Sequence, residues 1–146
     1  MILPRSSKHF SVLLATIFLL SSELVRSEDN VEVKLGSDSK VDITANGKPF
    51  AVYNYAVELP KPFLLPVRTP SGVIANRNLG DTSDADHPHH KGMWNAVDEV
   101  NKLKFWAEKA PIRNTSVSVA ATGQAIGRLE AVNEWQHPET KVPQLT

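Results

Sequence analysis

The chain has no cysteine among its 146 residues, and its 16 basic and 16 acidic side chains balance. The first absence excludes a disulfide framework and the lipid-bearing cysteine of a bacterial lipoprotein. The second, with basic and acidic residues interspersed, leaves no patch able to neutralise a phosphate backbone, so nucleic acid is not an expected partner. Long apolar runs are also missing. The only candidate, Phe10 to Leu20, is about half of the roughly 20 residues that a membrane-spanning helix needs. Helical periodicity is equally hard to find.

The apolar run instead sits inside the anatomy of an export signal. A basic start (Arg5, Lys8) precedes it, and a polar exit ending Val25-Arg26-Ser27 follows. Small residues at Val25 and Ser27 suit a signal peptidase, which places the expected cut before Glu28. Residues 1–27 are thus read as a signal peptide and 28–146 as the mature domain. Removing the signal leaves 13 basic and 15 acidic residues. A chain of this size is enough for one core and not for two domains. Export without cysteine is more usual for a bacterial envelope protein than for a small secreted eukaryotic domain, so a periplasmic or secreted location is expected, with no stable membrane insertion after cleavage. Asn114-Thr115-Ser116 is formally a glycosylation sequon, a triplet that also arises often by chance.

The mature part reads as all-β. Val31 to Leu35 alternates apolar and charged residues, and Val41 to Thr44 repeats the pattern. Asn46-Gly47 follows, a dipeptide that accepts the positive φ angles of a tight hairpin, so Phe50 to Val57 is expected to fold back as the partner strand. Pro60, Pro62, Pro66 and Pro70 remove backbone donors and confine Phe63 to Arg68 to an edge strand or extended chain. Val73 to Asn76 is expected as a short strand, followed by a polar loop, Asn78 to His90. Trp94 to Val97 and Phe105 to Trp106 are expected as short strands around a turn at Glu99 to Lys102. Thr115 to Thr122 and Gly127 to Trp135 form a second expected hairpin. Such a set of strands without a helix gives an open sheet with unpaired edges, which proteins usually cover or close, and this suggests either that the domain is the N-terminal part of a larger β domain or that it needs a partner.

Chemistry concentrates in Asp86-His87-Pro88-His89-His90-Lys91-Gly92-Met93-Trp94. Three of the chain's five histidines lie there. In an extended segment His87 and His89 project to one side and His90 to the other. Three readings fit this cluster. Two neutral imidazoles with Asp86 or Asp84 suit a divalent metal, with open positions for water or substrate. A histidine titrating near neutrality suits proton transfer at a sugar or ketone carbon, with Arg68 or Lys91 offsetting charge. Alternatively, the imidazoles hydrogen-bond loop backbone and fix a turn around Pro88. Gly92 fits any of these, since glycine permits a positive φ or a close backbone approach. Arg68, between Pro66 and Pro70, is either aimed at an anion or a surface charge on an edge strand. Trp94, Phe105 and Trp106 can stack on sugar rings, although core packing is the commoner use of such residues.

The runs Lys61-Pro62-Phe63-Leu64-Leu65-Pro66-Val67-Arg68-Thr69-Pro70-Ser71-Gly72-Val73 and Asp86 to Trp94, with Asn101 to Trp106 after them, resemble an exported bacterial family common in planctomycetes, of unknown function and often labelled PmoA-like or methane oxygenase. The resemblance covers residues 48–135. It implies a chain about twice this length, a β-sandwich similar to galactose mutarotase-like proteins, and histidines on a concave sugar-binding face. The methane oxygenase chemistry is not carried over, because a membrane monooxygenase subunit needs several spanning helices.

The expected function is therefore the binding or transformation of a carbohydrate or sugar-derived ligand. His87, His89, His90 and Arg68 are the candidate catalytic residues, and Asp86, Lys91, Trp94 and Trp106 the candidate ligand contacts. Two alternatives stay open: a metal-dependent, oxygenase-like enzyme with His87, His89 and Asp86 as ligands, and a non-catalytic module or inactive fragment in which the aromatics carry any affinity.

Overall fold

A computed structural model describes residues 29–77 and 87–146; the expected signal peptide and most of the polar loop, Asp86 included, lie outside them. Among the described residues nine strands occur, β1 (Val31–Leu35), β2 (Lys40–Ala45), β3 (Lys48–Asn54), β4 (Phe63–Val67), β5 (Glu99–Val100), β6 (Leu103–Lys104), β7 (Ile112–Ala121), β8 (Arg128–Gln136) and β9 (Pro143–Leu145). They form a four-stranded sheet in the order β1-β2-β3-β4, a two-stranded ribbon β5-β6 and a three-stranded sheet β7-β8-β9. Every strand pairing is antiparallel. No helix occurs among the described residues, so the fold is all-β, as the alternating pattern predicted.

Turn chemistry explains the hairpins. Asn46 and Gly47 hold φ of 50° and 73°, the double positive φ of a two-residue turn whose twist matches that of its strands. The partner strand begins at Lys48 and stops at Asn54, before the expected end at Val57, because the chain turns at Ala56 to Leu59, where Leu59 N donates to Ala56 O at 3.1 Å. Asn101 and Lys102 repeat the turn, with φ of 52° and 66°. That tight turn corrects two expectations. The paired residues are Glu99–Val100 and Leu103–Lys104, while Trp94 to Val97 and Phe105 to Trp106 flank the ribbon without forming strands. Val73 to Asn76 is not a strand either; a single bridge joins Ile74 to Arg68. The proline-punctuated β4 is an edge strand of its sheet, as a segment short of amide donors must be.

Strand β7 shows how one residue changes phase. Asn114 pairs with Asn133 but Ser116 with Val132, so Thr115 is an extra residue on β7. Because side chains alternate with period two, this bulge lets Ile112 face inward at one end and Val117 and Val119 at the other. Two cores result. Val33, Val41 and Tyr53 from the first sheet are packed by Ile43 and Leu64 on their own side and by Val117, Val119 and Leu129 from the third. Phe105, Ala110, Ile112 and Trp135 form the second, with their ring centroids 5.0 Å apart for the Phe105–Trp135 pair. The sequon asparagine is committed to this architecture: Asn114 Nδ2 donates to Ser116 O, Val132 O and Asn133 Oδ1 at 2.9–3.1 Å.

Candidate functional site

The site is built against the free edge of β4. Leu64 N donates to Met93 O at 2.8 Å, and Met93 N donates back to Leu64 O at 3.0 Å. Asn76 reinforces the same stretch, its Nδ2 donating to Leu64 O at 2.9 Å and its Oδ1 accepting from Val67 N at 3.0 Å. Gly92 makes the approach possible. Its φ is 67°, and a Cβ there would lie 2.2 Å from Leu64 O, inside any allowed contact. Both reasons for a glycine at this position, the positive φ and the close approach, therefore apply together.

The histidines do not lie on an extended segment. His90 N donates to His87 O at 3.1 Å and Lys91 N to His89 O at 3.1 Å, closing a turn around Pro88. The alternation that was to put His87 and His89 on one side and His90 on the other is thereby lost. All three rings converge, with centroids 4.6 Å apart for His87–His90 and for His89–His90, and 5.8 Å for His87–His89. Arg77 Nη1 donates to His87 O at 3.3 Å, tying the turn to the segment before it.

Two tryptophans complete the cluster. The Trp94 and Trp106 centroids lie 5.3 Å apart; His90 is 5.4 Å from Trp94 and 5.8 Å from Trp106, edge-on to the latter at 88°. His89 reaches Trp106 at 6.5 Å. Trp106 remains 39% exposed, His89, His90 and Trp94 are half-buried and His87 is exposed. Of the three aromatics for which core packing was the commoner expectation, only Phe105 is in a core.

Beneath the rings lies a residue that sequence reasoning missed. Lys61 is 1% exposed. Its Nζ donates to His89 O at 3.0 Å and Trp106 O at 3.5 Å, lies 3.4 Å from Glu108 Oε1 and sits 4.3 Å from the Trp94 ring centroid. Glu108, also missed, spends its other oxygen on Lys91. Burial pushes the Lys61 ammonium below the usual lysine range, against the pull of Glu108. His89 is lowered too, first by burial and then by the neighbouring charges of His90 and Lys61. Pro60-Lys61-Pro62 was the available signal, since two flanking prolines fix the backbone that carries the lysine.

Arg68 lies elsewhere. It follows β4 four residues beyond Leu64, roughly 13 Å along an extended strand; its Nη1 donates to Gly72 O at 3.0 Å. There it lines a groove of about 650 Å3 with Phe50, Lys48 and the β2–β3 turn, a groove that no histidine lines. Lys91 does join the cluster, through Glu108. Among the described residues no group of three or more histidine or carboxylate side chains is arranged to hold a metal ion, and Asp86, the expected carboxylate ligand, lies outside them.

No curated protein and no solved structure matches the chain. Residues 40–146, a stretch that contains β4, the histidine turn, both tryptophans and Lys61, match a family of unknown function, DUF6807, and the chain belongs to that family.

Proposed function

We propose that the protein is an exported carbohydrate-binding or carbohydrate-transforming protein whose ligand rests on the His87, His89, His90, Trp94 and Trp106 rings. The observation that carries the reading is the convergence of five polar and apolar rings, with neighbouring centroids 4.6–6.5 Å apart, at a partly exposed surface. A pyranose offers an apolar C–H face and a rim of hydroxyls. An indole face meets the first, and imidazole nitrogens, each a donor or an acceptor, meet the second. An imidazole kept largely neutral, as the lowered His89 is, is also suited to accept a proton from a sugar carbon or hydroxyl. The shared core of the two larger sheets supports a β-sandwich as the scaffold.

A glycan array of neutral and acidic oligosaccharides, probed with the purified protein, tests the reading. Binding that is lost in both Trp106→Ala and His90→Ala is expected. Binding that survives His90→Ala and fails only in Trp106→Ala reduces the site to a non-catalytic module. Stoichiometric zinc, iron or copper in the purified protein, lost in a His87→Ala, His89→Ala double variant, replaces the carbohydrate reading with a metal-dependent one.

A further inference from the structure

We infer that Lys61 is a positioning residue for the ring cluster, locking the histidine turn and the Trp106 segment into one geometry through its buried ammonium. The inference rests on reading that cluster as a ligand site. Lysine is almost never fully buried without partners, and taking an ammonium out of water is costly. Here the compensation comes entirely from the site: the carbonyls of His89 and Trp106, the Glu108 carboxylate and the Trp94 ring. Both carbonyls belong to residues whose side chains form the cluster, and one ammonium sets their separation.

The origin of the side chain is equally well held. Pro60 O accepts from Ile112 N at 2.9 Å, Leu59 O accepts from Arg113, and Phe63 opens β4 two residues later. Lys61 therefore projects from a segment strapped to two sheets and grips two loops. Glu108 extends the grip to Lys91 on the histidine segment. Stability alone does not call for a charge at this place, because a buried ion pair is often replaced by apolar residues of similar volume without loss. What an apolar side chain lacks is directed donation to two particular carbonyls, and so the register between the loops.

Lys61→Met keeps an unbranched apolar stem and removes the donor. NMR of the purified protein without sugar is the first measurement. Ring-current shifts of the His89, His90 and Trp106 ring protons are expected to move toward those of isolated rings, while the methyl shifts of Val33, Val41 and Ile112 stay in place. The second is the affinity for the array oligosaccharide that the wild type binds most tightly, expected to fall about tenfold, the equivalent of one charge-assisted hydrogen bond. Unchanged ring shifts overturn the inference. Ring and core shifts that collapse together overturn it as well, since Lys61 then supports only general stability. A wild type that binds no oligosaccharide, with ring shifts still lost in Lys61→Met, sinks the carbohydrate reading and leaves the positioning role supported. Should Lys61→Met not fold, Glu108→Gln takes its place: smaller ring shifts in the same direction support the inference, and none overturn it.

Discussion

His89 brings its imidazole against two other histidines and Trp106 while its backbone carbonyl accepts from the buried Lys61, and its proton affinity falls below the ordinary value of 6.5, chiefly through burial. The sign of the consequence follows from linkage. Between the lowered folded value and 6.5 the unfolded chain binds more protons than the folded one at this site, so stability falls as pH drops through that window. Thermal midpoints recorded between neutrality and mild acid are expected to decline in the wild type and to decline less in His89→Gln. An equally steep decline in that variant would show that other groups carry the effect. At this scale the presence of the histidines was legible from the sequence, but their arrangement was not. A period-two alternation assumes extended backbone, and the His90 N to His87 O bond replaces it with a turn. Lys61 was missed for a different reason: its flanking prolines mark a fixed backbone, but lysine is normally a surface residue, and only the three-dimensional environment shows that this one is buried.

Among the elements, strands with their own turn signals were legible and those that depend on distant partners were not. Asn46-Gly47 predicted the β2–β3 hairpin because its conformational demand is local. Trp94 to Val97 has strand-like composition, yet Met93 already uses its backbone on Leu64 and the following residues lead into the β5–β6 ribbon. The docking of the histidine segment on β4 depends on Gly92. Gly92→Ala places a Cβ against the Leu64 carbonyl at a positive φ, and a loss on the order of 2 kcal/mol is expected in denaturant unfolding, with changed tryptophan fluorescence as Trp94 and Trp106 shift. A loss below about 0.5 kcal/mol, the range of an indifferent surface substitution, would mean that the segment is not held by this approach.

At the scale of the molecule, the first and third sheets share a core to which β1, β2 and β3 contribute Val33, Val41 and Tyr53 and β7 and β8 contribute Val117, Val119 and Leu129. The three-residue β9 lies at the outer edge of the second of these sheets. The proposed export is the reading of the whole chain most directly open to test. Secreted material is expected to begin at Glu28 on N-terminal sequencing, whereas recovery of a chain starting at Met1 would remove the signal-peptide reading and the location built on it. The all-β class, the two main hairpins, the edge position of β4 and the place in the chain where histidines and tryptophans gather were all determined by sequence alone. They rest on local causes: side-chain alternation, positive-φ turns, missing proline donors and residue identity. Tertiary structure decided that Phe105 enters a core while Trp106 faces the histidines, that Arg68 lies along β4 away from them, and that Lys61 and Glu108 lie beneath the rings. These depend on which segments pack against one another. Burial and charge pairing between residues far apart in the chain are set by that packing, and local pattern does not encode it.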